Sequence, residues 1–165
     1  MVPLEDLRVY FGNLAAYNAG RLVGKWYSFP LDEEKIREDF GEGVEEIIPM
    51  DFDGFPSALC SQLYSIRELN AIYQSLESLD PILLKNIEDL MEAGYDLEDL
   101  ERIGTNFYYY EGCFNMADIA KIKLFEDYWK IDPFLVPFLD LQLLGRYFAD
   151  CGTYVLCSDG VLEIY

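Results

Sequence analysis

The chain contains no histidine among its 165 residues. That absence removes the Ser-His and Cys-His nucleophile pairs of hydrolases and the mixed Cys/His zinc sites. Cysteine is scarce: Cys60, Cys113, Cys151 and Cys157, none in a C-x-x-C pair. They read as small buried thiols of a cytoplasmic protein. Cations are few, 12 Lys and Arg against 31 Asp and Glu, and nowhere grouped. DNA-binding proteins need clustered Lys and Arg to displace counterions, so nucleic acid is not an expected partner. No apolar run approaches the ~20 residues needed to cross a bilayer, and no basic-then-apolar leader precedes the first expected strand. A G-x-S-x-G elbow, a phosphate-cradling glycine loop, internal repeats and low-complexity tracts are all missing. No enzyme, cofactor or metal is expected.

What remains is 52% apolar and 16% aromatic, too much for a disordered chain. The net charge is −19, which implies self-repulsion and attraction to basic surfaces. It is spread evenly: −7 over residues 1–60, −7 over 61–103 and −5 over 104–165. An acidic tail would look different. The stretch NIEDLMEAGYDLEDLE (86–101) holds seven carboxylates and no base. That arrangement forgoes the opposite-charge pairs that ordinarily support a helix.

Arg8 to Leu14 reads as a strand by its β-branched and aromatic content. Through AAYNAG it forms a hairpin with a second strand, Arg21 to Phe29, ended by Pro30. Asp32 caps a short helix, DEEKIREDF, with its acids in the first turn. Val44 to Phe52 reads as a third strand, weakened or placed at an edge by Pro49. Ser65 and Glu68 form a capping box for a helix to about Leu79. Asp80 and Pro81 open a second helix that Gly94 closes, and Asp96 opens a third. On the second, Ile82, Leu83, Ile87, Leu90 and Met91 share one side, and Glu88, Asp89 and Glu92 the other. Asn106 to Gly112 reads as strand, Asn115 to Trp129 as a helix capped by Asn115, and Pro137 to Asp150 as another helix. TYVLC and VLEIY make a closing hairpin around Asp159-Gly160. The fold class is α+β. Trp26 and most of the FYYY run (Phe107 to Tyr110) are expected in the core, and Arg146 in an ion pair.

Two local signals lead nowhere. DFDG (Asp51 to Gly54) has acids spaced as in a calcium loop, but an EF-hand needs glycine at position 6 and a bidentate glutamate at position 12. It reads as a turn with exposed acids. Paired carboxylates serve glycosidases, yet with 31 acids some pair meets that spacing by chance.

The acidity has a more specific reading. Duplex DNA carries one charge per ~1.7 Å, so 31 carboxylates correspond to roughly 50 Å of duplex. An evenly acidic, elongated fold fits the cleft of a DNA-binding protein, and each added lysine would spoil the likeness. The alternatives are an acidic adaptor for another basic host or mobile-element protein, and a carboxylate-based hydrolase.

Arg8 to Ile36 carries Val9, Tyr10, Asn13, Leu14, Tyr17, Asn18, Gly20, Leu22, Gly24, Trp26 and Pro30. This spacing resembles the opening of the ArdA antirestriction family. Leu143 to Tyr165, with Gly145-Arg146 and then a hairpin, is similar to the family's ending. Ser65 to Leu79, with Leu69 and Asn70, resembles the start of its middle segment. Two departures are Lys25 and Tyr147, where the family often has acids, and the match is weakest over Asn86 to Phe125.

The resemblance implies a DNA mimic encoded by a mobile element. It implies a curved, rod-like homodimer that blocks the methyltransferase core of type I restriction-modification enzymes. It further implies three small domains in a row: an antiparallel sheet with a short helix (1–60), a helical bundle (61–103) and a mixed helix and sheet domain (104–165) that dimerises. Leu144, Gly145, Arg146, Tyr147 and Phe148 fall on the family's antirestriction motif, for which a dimer-forming role is expected. The mimic surface would comprise Asp32, Glu33, Glu34, Glu38, Asp39, Glu45, Glu46, Glu88, Asp89, Glu92, Asp96, Glu98, Asp99, Glu101, Glu126 and Asp127.

Overall fold

The computed structural model describes residues 3–41, 43, 44, 46–126 and 131–165. It is mixed α+β, with two three-stranded antiparallel sheets. Its internal contacts divide it into two compact units, Met1–Leu79 and Asp80–Tyr165.

In the first unit, alternation sends Val9 and Phe11 of β1 (Arg8–Asn13) into the core and Tyr10 outward. The chain does not turn directly into the next strand. The Asn13 side chain accepts from Ala16 N–H, a cap that starts the one-turn helix α1 (Leu14–Asn18). Gly20, at φ +75°, reverses the chain toward β2 (Gly24–Ser28). Asp32 accepts from Lys35 N–H and opens α2 (Glu33–Phe40) as its sequence requires. β3 (Ile47–Asp53) pairs with β1 on the far side from β2, so Pro49 lies on an edge strand. The register shifts beside Pro49, a bulge that leaves Met50 without a partner across the ladder. Then α3 (Ile66–Ser78) begins at the Ser65–Glu68 capping box.

Packing in this unit is aromatic. Phe29 stacks on Tyr73 of α3 at 5.2 Å and meets Phe55 at 5.0 Å. Asn70 of α3 secures the segment after Phe29: its amide donates to Leu31 O and accepts from Leu31 N–H, both at 2.8 Å.

The second unit opens with a correction. The single helix expected from Pro81 to Gly94 is two, α4 (Pro81–Lys85) and α5 (Ile87–Glu92). Asn86 leaves helical geometry at φ −102°, ψ 18°, and its buried amide donates to Ile82 O. This is the local competition asparagine offers a helix. Gly94, at φ +98°, ends α5, and Asp96 with Asp99 forms a capping box for α6 (Leu97–Ile103). β4 (Phe107–Glu111) runs beside the C-terminal hairpin. Next comes α7 (Met116–Glu126), capped by Asn115, which accepts from Ala117 and Asp118 N–H.

A second correction concerns the next helix. Residues Pro133–Phe138 form 3-10 turns, and α8 (Leu141–Cys151) begins only where Asp140 accepts from Leu143 N–H. Pro137 lacks the N–H that a longer helix would need. β5 (Thr153–Cys157) and β6 (Gly160–Ile164) complete the sheet in the order β4-β6-β5. Its core joins Tyr110, Cys113, Ile119 and Val161.

Several burial expectations also change. Cys113 and Cys157 are buried, but Cys60 and Cys151 are exposed. Tyr110 is buried while Tyr108 is exposed, although the two lie on one face of β4 with their rings 4.6 Å apart. Trp26 is 38% exposed, since it points to the solvent side of its sheet. No helix among the described residues is long and apolar enough to cross a membrane.

Candidate functional site

The acids of the first unit gather on α2. Capping by Asp32 sets the helix so that Glu33 and Glu34 occupy its first turn, beside the positive end of the helix dipole. Glu33 is engaged: Arg37 lies 2.8 Å and Arg67 3.4 Å away. The hydrogen bond from Arg37 holds its carboxyl below the usual glutamate range. Asp39 accepts from Lys25 Nζ at 2.7 Å and from Tyr27 OH at 2.9 Å. Those bonds hold Asp39 below its ordinary value, while burial and then Asp39 push Tyr27 up to about 12. Lys25 is thus committed within its own unit. Glu34, Glu38 and Glu46 are exposed, with no cation in ion-pair range among the described residues. Glu45 lies outside the described residues.

In the second unit the acids lie on α5 and α6. Glu88, Glu92 and Glu101 are exposed. Asp89 is half-buried and accepts from Ser158 N–H at 2.9 Å and Ser158 Oγ at 3.1 Å, tying α5 to the β5–β6 turn. Asp96 and Asp99 cap α6, and Arg102 lies 3.1 Å from Asp99 and 3.7 Å from Glu98. The Glu126 side chain and all of Asp127 fall outside the described residues. The carboxylates are therefore of two kinds. Asp32, Glu33, Asp39, Asp89, Asp96 and Asp99 build their own elements. Glu34, Glu38, Glu46, Glu92 and Glu101 project with no such duty.

Of the five motif residues on α8, Gly145 is buried. A Cβ there would stand 2.6 Å from the Met116 carbonyl, so glycine lets α8 lie against the start of α7. Leu144 and Phe148 are half-buried; Arg146 and Tyr147 are exposed. The ion pair expected of Arg146 does not form among the described residues, where its side chain is exposed. Around the motif lies an apolar surface the sequence did not single out: Phe134 and Phe138 are each 74% exposed, Leu143 63% and Tyr147 57%.

A cavity in the first unit also escaped sequence reading. On the solvent side of the sheet, Tyr10 stands opposite Trp26 on β2 and opposite Asp51 on β3. The Tyr10 and Trp26 rings meet edge-on at 5.5 Å. The next row is Gly24–Gly12–Ile48. A Cβ on Gly24 would stand 2.7 Å from the Tyr10 ring, and one on Gly12 would collide with Met50. Glycine at both positions lets the Met50 and Tyr10 side chains lie across the sheet, where with Tyr17 and Leu22 they line a space of about 450 Å³. The period-two placement of Tyr10, Gly12, Gly24 and Trp26 was the available signal.

A family model described as antirestriction protein (ArdA) matches residues 9–163. No curated protein is similar enough to match.

Proposed function

The chain belongs to the antirestriction protein (ArdA) family, and on that premise we propose that it mimics B-form DNA and blocks type I restriction-modification enzymes. Its carboxylates would occupy the basic DNA-binding cleft of the methyltransferase core in place of phosphates. The observation carrying this reading is that Glu34, Glu38, Glu46, Glu92 and Glu101 are exposed with no cation in ion-pair range among the described residues, on a chain of net charge −19. Such a surface releases anions from a cationic groove on binding, and each contact is worth little by itself. The protein would act as a homodimer in the cytoplasm, encoded by a mobile element, with α8 and the preceding 3-10 turns contributing to the interface.

The test is displacement of labelled duplex from a type I methyltransferase. At low salt the protein displaces the duplex, and displacement weakens as salt rises. Glu34→Gln alone changes affinity less than threefold. Glu34, Glu38, Glu92 and Glu101 all changed to Gln weaken it tenfold or more, because small terms accumulate. No displacement at low salt overturns the reading; recovery of a different basic partner from lysate would favour an acidic adaptor.

A further inference from the structure

The cavity beside Trp26 is unlike the rest of the acidic surface. It is concave, walled by aromatic rings and apolar side chains, with the Gln62 carboxamide and a single carboxylate, Asp51. We propose that it receives one arginine or lysine side chain of a basic partner protein, a directional contact distinct from the diffuse charge around it. The nature of that partner rests on the antirestriction reading above; the recognition chemistry does not.

Three observations support the occupant. First, Asp51 stands across Tyr10 from Trp26, with no cation in ion-pair range among the described residues. One of its oxygens accepts from Phe52 N–H, and the other has no partner among the described residues. Second, Tyr10, Tyr17 and Trp26 line the space, and aromatic rings attract cations through the negative potential of their faces. Third, the same sheet face already holds a guanidinium: Arg8 lies 5.5 Å from the Trp26 ring centroid, anchored by Asp53 one row away. A long basic side chain is amphipathic along its length. Its stem matches Leu22, Ile48 and Met50, and its head matches the rings and Asp51. A volume of about 450 Å³ falls within the ordinary size range of ligand pockets. The glycines at 12 and 24 give the Met50 and Tyr10 side chains that line the space room to lie across the sheet.

The full chain, labelled with ¹⁵N, is titrated with N-acetyl-arginine methylamide and separately with the citrulline counterpart, which has the same shape without the charge. Saturable shifts at Gly24, the Trp26 indole N–H and Ile48 are expected with the arginine compound. They should be at least fivefold weaker with citrulline. Tyr17→Ala and Asp51→Asn should each weaken binding fivefold or more, with the amides of Leu69 and Leu76, buried in the same unit, unmoved as a check on folding. Tyr17 is 58% exposed and Asp51→Asn keeps its shape, so the fold tolerates both. Equal response to citrulline overturns the proposal, as do unsaturable shifts spread over α2, α5 and α6. Loss of the pocket response with duplex displacement intact overturns the pocket alone. A pocket response without displacement overturns the antirestriction reading alone.

Discussion

Lys123 of α7 donates to both carboxylate oxygens of Glu163 on β6, at 2.7 and 2.8 Å. Tyr110 OH and Tyr154 OH donate to the same carboxylate at 2.7 and 2.6 Å. In a chain with 31 acids, this one is 9% exposed and fully bonded, and it fixes α7 on the middle strand of its sheet. Burial pushes the Glu163 carboxyl up, but the bonds from Lys123, Tyr154 and Tyr110 outweigh it and hold the group below the ordinary glutamate range. Burial, and then Glu163 itself, push both tyrosines upward.

Glu163→Gln should therefore cost about 2–4 kcal/mol at neutral pH, because it strands the Lys123 charge and mispairs two hydroxyls. The lower end applies, since Lys123 keeps 26% of its side-chain exposure. A carboxyl whose folded pKa lies below its unfolded value stabilises fully above the unfolded value. It loses that contribution as pH falls through the folded one. Urea midpoints measured from pH 7 down to pH 3 should show the gap between wild type and variant closing with acid. A constant gap would mean the carboxyl is not held low.

Asn70→Ala should destabilise the first unit by about 2–4 kcal/mol, because it leaves the N–H and the carbonyl of Leu31 unpaired. Leu31 is 6% exposed, so water is a poor substitute. Urea unfolding at neutral pH measures this. A loss below half a kcal/mol would mean that the segment after Phe29 holds itself in place.

The contrast between Asn70 and Asn86 shows what the sequence allowed. Caps and turns were legible because they depend on residues within three positions of one another: Ser65 with Glu68, Asp96 with Asp99, Asn115 with Asp118. The edge position of β3 was legible from Pro49; the order of strands in the second sheet was not. The helix break at Asn86 was not legible, because a surface asparagine looks the same in sequence and only burial turns its amide onto Ile82 O. Nor was the exposure of Trp26, which rests on which side of a three-stranded sheet is covered. For the acids, sequence gave location but not employment: Asp39 and Asp89 look like Glu34 in a string and differ only through Lys25 and Ser158.

Gly145→Ala reverses an ordinary expectation. In an exposed helix interior the change gains about 1 kcal/mol. Here the new methyl meets Met116 backbone, which cannot swing aside as a side chain would, and the overpacking should cost about 1–3 kcal/mol. Thermal unfolding should show Tm lowered by several degrees. A raised Tm would show that α7 and α8 have room to separate.

The exposed apolar surface of α8 and the turns before it leads to the last prediction. Phe134 and Phe138 meet at 5.9 Å yet stay 74% exposed, with Leu143 and Tyr147 also largely bare. Large exposed apolar side chains on one stretch of chain suit a contact surface, which a second copy would cover symmetrically. Each copy carries −19, so association must overcome charge repulsion. Added salt screens that repulsion and should tighten the dimer, the opposite sign to its effect on binding a basic cleft. Phe138→Asp combined with Leu143→Glu should convert dimer to monomer in sedimentation at micromolar concentration. Tm extrapolated to low concentration should stay within a few degrees, because neither side chain is part of its own unit's core. A wild-type protein that sediments as a monomer at every salt concentration would rule out self-association through this surface.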